Sequence, residues 1–300
     1  MNQTGDNPQN LPKYITVAII PARFASTRLP GKALIELAGK PMVCWVAERA
    51  LASRNVDRVI VATDSEEIAN AVRSRGIEVM LTSEHHTSGT DRVAEVAETI
   101  SEAEIIVNVQ GDEPLISPET IEKAVDVMAA EMSKTTRGAG TGATGTDSAE
   151  SRGGTGGAGI VTTWEPIESN AELLDPDLVK VVVDDDDNAV YFSRSPVPFP
   201  RDAVKRHGSP EVALAAEPEL LKLFRKHTGL YVYRRDVLLE FTKWPQTQLE
   251  KTEALEQLRA LAHGVRIKVV EACTVSTGVD TAADLEKVRA QLATLTWQNA

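Results

Sequence analysis

The chain has 300 residues, 42% of them apolar and 25% charged, a balance that suits an ordinary globule with a sizeable core. Its 44 acidic residues outnumber 32 basic ones for a net charge of -12, and only 4% are aromatic. Those figures exclude a broad polyanion-binding or base-stacking surface, so nucleic acid is not an expected partner and any phosphate site must be local.

Residues 1–13 (MNQTGDNPQNLPK) have neither the basic start nor the apolar stretch of a secretory signal and are expected to form a disordered tail. No run supplies the roughly 18 apolar residues of a spanning helix, so no membrane partner and a cytoplasmic location are expected. The segment 15–21 (ITVAIIP) is a β-branched apolar run that predicts a strand buried on both faces. A basic loop follows, and from Pro41 the residues Met42, Val43, Trp45, Val46, Ala50 and Leu51 fall near one helical face. Strands are predicted at 58–63, 77–81 and 105–109, with helices at 65–75 and 91–102, and a further helix starts at Ser117 and ends near Met132. Residues 133–159 are Gly-, Thr- and Ser-rich without apolar periodicity, which predicts a flexible insertion. A hairpin at 179–195 turns through Asp184, Asp185, Asp186 and Asp187, an acidic turn rather than a metal cage. A strand at 227–234, a helix at 249–261, a strand at 266–270 and a helix at 281–292 complete the chain. Alternating β and α predicts a largely parallel, doubly wound sheet in one domain spanning 14–296. Cys44 and Cys273 lie far apart without zinc spacing and read as buried thiols.

Three segments can carry chemistry. PARFASTRLPGK at 21–32 places Arg23, Arg28 and Lys32 in one loop directly after a buried strand, with Gly31 allowing close backbone approach. Ligands of open α/β sheets bind at strand carboxyl ends, which favours a polyphosphate cradle over a merely solvated basic loop. Ser26 and Ala33 stand where a Walker A motif needs glycine and Ser/Thr. VQGDEP at 109–114 presents Asp112 and Glu113 at a strand end, either as a magnesium ligand set or as a tight turn. TGVDT at 277–281 offers Asp280, which on local grounds is a helix N-cap and becomes a metal candidate only if paired with Asp112. The histidines taken alone read as structural.

Together PARFASTRLPGK, ATDSEEIANAV, HHTSGTDRVAEV, IIVNVQGDEP, VKVVVD, YFSRSPVPF, HTGLYVYR, EALEQLRAL and STGVDTAADLEKVRA resemble, in order, the 3-deoxy-manno-octulosonate cytidylyltransferases. The resemblance implies a Rossmann-like nucleotidyltransferase fold with a smaller sugar-binding and dimerisation lobe. It implies transfer of CMP from CTP to 3-deoxy-D-manno-octulosonate, for lipopolysaccharide inner-core synthesis, by a magnesium-dependent homodimer. By the same resemblance Lys32, Asp112 and Asp280 are catalytic, with both aspartates as metal ligands. Ala22, Arg23, Arg28, Lys32, Ser88, Gly89, Thr90, Arg92 and Gln110 meet the nucleotide; Gln110, Arg194, His227, Tyr231, Glu256 and Gln257 meet the sugar. The family has a short connection where this chain carries 133–159. The alternatives are activation of an 8-amino analogue or a sialic acid, and a catalytically silent nucleotide-binding protein.

Overall fold

Alternate residues of β1 (Thr16–Ala22) point to opposite faces of the sheet: Ala18 and Ile20 enter one apolar cluster, Val17 and Ile19 another. All four are essentially inaccessible, so this strand is central, as its uninterrupted apolar run requires. The computed structural model describes residues 13–24, 29–138 and 156–298.

After β1 comes a 3-10 turn (Lys32–Leu34) and a small hairpin of β2 (Glu36–Leu37) and β3 (Lys40–Pro41). Then follow α1 (Met42–Leu51), β4 (Arg58–Thr63), α2 (Glu66–Arg73), β5 (Glu78–Leu81), α3 (Gly89–Thr99), β6 (Ile105–Asn108) and α4 (Pro118–Gly138). The second half holds β7 (Ile160–Pro166), α5 (Asn170–Leu174), β8 (Lys180–Val183), β9 (Ala189–Ser193), α6 (Arg201–His207), α7 (Pro210–Ala216) and a 3-10 stretch (Pro218–Leu223). It ends with β10 (Arg225–Arg234), α8 (Arg235–Phe241), α9 (Gln248–Glu253), α10 (Gln257–Ala262), β11 (Ile267–Glu271) and α11 (Ala282–Gln298).

The main sheet runs β11-β7-β10-β6-β1-β4-β5, with the β8–β9 hairpin attached to β10. β1 pairs in parallel with β4 and β6, and β4 with β5. β10 alone on this path opposes its neighbours, being antiparallel to β6 and β7, while β11 is parallel to β7. The sheet is therefore largely parallel, in the expected Rossmann-like class. From β1 the chain steps outward to β4 and β5 and then returns to place β6 on the other side of β1. Between β1 and β6 the loops at the carboxyl ends diverge, opening a crevice at the switch point. Helices α1 and α4 cover one face of the sheet and α3, α8 and α10 the other.

Several expectations are corrected. α4 continues past Met132 to Gly138, so the first part of the expected insertion is helical; 139–155 lie outside the described residues, as do 1–12 of the expected tail, and the insertion's end is ordered, with buried Ala158 N donating to Glu131 Oε2 at 2.8 Å. Lys13 pairs with Asp57 at 2.9 Å. The single helix expected at 249–261 is two, broken where Ala254 takes a left-handed φ of 52°. The stretch between β9 and β10, given no element by its pattern, carries α6 and α7 around a small cluster of Ile167, Leu173, Leu214 and Phe224. Cys44 is buried but Cys273 is exposed.

Candidate functional site

The basic loop leaves β1 at Ala22, with Arg23 exposed beyond it; Arg28 lies outside the described residues. Gly31 adopts φ 66°, a conformation that favours glycine, and the 3-10 turn that follows swings Lys32 back under the crevice. Its Nζ donates to Asp112 Oδ2 at 2.6 Å and to Asp280 Oδ1 at 2.9 Å. Burial disfavours the Lys32 ammonium, yet the charge and hydrogen bonds of Asp112 and then Asp280 outweigh it and hold its pKa above the ordinary lysine value.

Asp112 and Asp280 meet through the backbone. Val279 N donates to Asp112 O at 2.9 Å, pinning the TGVD segment to the loop after β6. Val279 itself is fully buried with Leu37, Met42, Leu285, Val288 and Leu292, so the packing of α11 fixes the height of Asp280. The cap of α11 is Thr281: its hydroxyl accepts from Asp284 N at 3.2 Å, while Asp284 Oδ2 accepts from Thr281 N at 3.0 Å. The local expectation of Asp280 as N-cap is thereby corrected, and its carboxylate turns to Lys32. On the β6 side, Gly111 is required because a Cβ would lie 2.8 Å from the Pro21 carbonyl oxygen. Two carboxylates from distant parts of the chain thus converge on one positive charge. Hard oxygen donors so placed fit a divalent cation whose shell is completed by phosphate oxygens and water. Among the described residues no group of three His, Cys, Asp or Glu side chains forms a complete protein cage.

A cleft of about 370 Å³ opens over this pair. Its walls include Ala22, Arg23, Lys32, Ser88, Gly89, Arg92, Gln110, Asp112 and Asp280. Ser88 caps α3, its Oγ accepting from Asp91 N at 3.0 Å. Arg92 is only 3% exposed and donates to Asp64 Oδ2 at 2.7 Å and to the Thr82 hydroxyl. Asp64 Oδ1 also accepts from Phe24 N at 3.3 Å, so Arg92 reaches the basic loop through Asp64. Thr90 is not on the wall; its hydroxyl donates to Glu256 and joins α3 to the start of α10.

Residues missed in the sequence reading are Asp64, His86 and Glu165. Asp64 follows β4 as Asp112 follows β6, a signal that ATDS carried. His86 lines the cleft with Nε2 against Glu95. Glu165, 2% exposed on β7, accepts from Ser276 N at 2.7 Å and lies 3.0 Å from Lys226 Nζ. Beside it, burial first, then the charges of Asp112 and Glu165, push the Glu113 carboxyl up to about 8.

The remaining residues gather on β10 and around α9 and α10. A Cβ at Gly229 would lie 3.0 Å from Gln110 Cγ, so the HTGLY segment runs against the cleft wall. The His227 ring packs edge-on to Phe192, centroids 5.0 Å apart, and tilted against Tyr231 at 5.4 Å. Its Nε2 lies 3.0 Å from the Thr162 hydroxyl, which itself donates to Leu230 O at 2.8 Å. The hydroxyl proton being committed to Leu230, His227 Nε2–H is the donor and Nδ1 the acceptor. Burial pushes the imidazole down to about 3 and the Tyr231 phenol well above its ordinary value. Burial likewise raises Glu256, and its neighbour Gln257 is 5% exposed. Arg194 stands apart from the cleft wall, with Nε donating to Glu253 O at 2.7 Å and Nη1 to Pro176 O at 2.8 Å.

Residues 17–267 match the family model described as cytidylyltransferase. A 3-deoxy-manno-octulosonate cytidylyltransferase of Geobacter sulfurreducens is 50% identical over 275 residues, covering 92% of this chain and 98% of the relative. The enzyme of the same name from Saccharophagus degradans is 43% identical, covering 92% and 98%. Among solved structures, CMP:2-keto-3-deoxy-manno-octonic acid synthetase complexed with CTP superposes with a TM-score of 0.76 at 39% identity, over 93% of this chain and 99% of that one. A 4-diphosphocytidyl-2C-methyl-D-erythritol synthase from Anaerococcus prevotii, at 14% identity and TM-score 0.54 over 94% and 97%, shares the fold. No helix among the described residues is long and apolar enough to cross a membrane.

Proposed function

The chain belongs to the 3-deoxy-manno-octulosonate cytidylyltransferases, and from that premise we propose that it transfers CMP from CTP to 3-deoxy-D-manno-octulosonate by in-line attack of the anomeric hydroxyl on the α-phosphorus, releasing pyrophosphate. The observation that carries this reading is the convergence of Lys32, Asp112 and Asp280 beneath the cleft at the β1/β6 switch point. Such a reaction is served mainly by positioning and charge stabilisation, and no covalent nucleophile is needed. Arg23, Arg28 and Lys32 balance the triphosphate as negative charge builds on the departing pyrophosphate. Asp112 and Asp280 would hold the divalent metal such enzymes use, which we read as magnesium and which would lower the cost of ionising the attacking hydroxyl. Lys32, already hydrogen-bonded to both carboxylates, ties the two together beneath the cleft.

Ala22, Ser88, Gly89 and Gln110 shape the nucleotide's side of the cleft. Arg92, on that wall, also fixes the loop after β1 through Asp64, and Thr90 couples the nucleotide segment to Glu256. On the sugar side Arg194 supplies the cation for the carboxylate. His227, neutral with Nδ1 as acceptor, joins Tyr231, Glu256 and Gln257 in pairing the hydroxyls. We read the working enzyme as a cytoplasmic homodimer, to be checked by its mass in solution. Pyrophosphate release from CTP and the octulosonate, with and without magnesium and against the 8-amino analogue and a sialic acid, tests the reaction. Release with CTP alone irrespective of sugar, or none with the octulosonate, would reject it.

A further inference from the structure

Lys180 on β8 is a large side chain buried to 0% exposure, and it has no part in the reaction described above. Its Nζ donates to two main-chain carbonyl oxygens, Asp175 O at 2.9 Å and Leu178 O at 2.6 Å. A buried ammonium satisfied by neutral carbonyls is an expensive way to close a short loop, since a charge leaves water without a hydrogen-bonded carboxylate in exchange. Burial pulls its pKa below the ordinary lysine value, in keeping with that cost.

The two carbonyls bracket Pro176, and Pro176 O is the acceptor for Arg194 Nη1 at 2.8 Å. The second support of the guanidinium, Glu253 O on Nε at 2.7 Å, is also a neutral carbonyl. The Glu253 carboxylate is engaged instead by Ser193 Oγ at 2.7 Å and Arg194 N at 2.9 Å. The guanidinium is therefore hydrogen-bonded only to neutral carbonyls, while the nearby Glu253 carboxylate feels its charge, and its remaining N–H donors are left to an incoming anion.

We propose that Lys180 is a positioning residue for the acidic sugar: by drawing the Asp175 and Leu178 carbonyls onto one ammonium it closes the turn that presents Pro176 O to Arg194 and so aims the guanidinium at the sugar carboxylate. This rests on the reading of Arg194 as the carboxylate receptor. Steady-state kinetics on the full-length enzyme would compare Lys180→Met, Pro176→Gly and Arg194→Ala with the parent, recording KM for the octulosonate and for CTP together with the melting temperature. Pro176 is exposed, so its glycine variant loosens the turn without emptying a buried site. Both Lys180→Met and Pro176→Gly should raise the sugar KM by about tenfold while the CTP KM stays within about twofold, the size expected when a charge-assisted contact is misaimed. An unchanged sugar KM in a folded Lys180→Met protein, alongside a sugar defect in Arg194→Ala, overturns the positioning role and leaves the receptor reading intact. A normal sugar KM in Arg194→Ala overturns the receptor reading itself. Should Lys180→Met not fold, Pro176→Gly decides, and an equal rise of both KM values there counts against the proposal.

Discussion

Replacing Asp280 by Asn keeps its size and an acceptor for Lys32 but removes one of the two charges that converge on a single point. Catalysis should fall on the order of 100-fold or more, while the melting temperature moves by only a few degrees, because the cap of α11 belongs to Thr281 and Asp284. Parallel melting curves and pyrophosphate assays check this; near-normal magnesium-dependent turnover would remove Asp280 from the metal-binding pair. Lys32 and Asp112 were legible in the sequence because strand-end loops with clustered charge are a local signal. Asp280 was not, since on local grounds it read as a helix cap. Its partner lies in the distant loop after β6, and only the resemblance brought the two together. The supporting groups were harder still: nothing local says that Arg92 reaches the basic loop through Asp64, or that Thr90 turns away from the cleft to Glu256.

Among the elements, the break between α9 and α10 matters most for the proposed sugar side, because it sets Glu256 and Gln257 at the start of a new helix. The sequence pattern EKTEALEQLRAL has unbroken helical periodicity and contains neither glycine nor proline, so the break was invisible to it. It comes from Ala254 in the left-handed region, a conformation that costs a non-glycine residue about 1–2 kcal/mol. Buried Leu255 and Leu258 and the Arg259–Glu250 pair, at 2.6 Å with both partners under 10% exposed, override that cost. Ala254→Gly should relieve the strain and, after the added freedom of the unfolded chain, stabilise the protein by about 0.5–1 kcal/mol with unchanged sugar KM. Chemical denaturation measures it; destabilisation would show that the alanine methyl contributes more than its strained backbone costs. The main-sheet strands β1, β4 and β6, by contrast, were readable almost to the residue, because burial on both faces demands continuous apolar runs, whereas the short β2–β3 hairpin was not read at all.

For the molecule as a whole, the neutral His227 implies a particular acid sensitivity. Its pKa lies near 3 when folded against the ordinary histidine value of 6.5, so the unfolded chain binds the extra proton over that window. Stability from this group is complete above about pH 6.5 and is lost as pH falls toward 3, with a slope approaching about 1.4 kcal/mol per pH unit. His227→Gln keeps a donor for Thr162 and removes the titration, so between about pH 7 and pH 5 the parent should lose unfolding free energy that the variant keeps. Parallel profiles would show that the ring protonates freely in the folded protein. The fold class itself was the most legible feature, since the alternation of buried strands and amphipathic helices leaves few architectures open.

The hydrogen bond from Val279 to Asp112 also orders events in time. Lys32 and Asp280 are 248 positions apart, and at about 5–20 residues per second a ribosome needs tens of seconds to pass from one to the other. Once Asp112 has been made, the nascent sheet can hold β1, β4, β5 and β6 while the second carboxylate is still to come. On the proposed mechanism competence therefore waits for Asp280, and a chain whose translation stops before it carries a cleft without the second carboxylate.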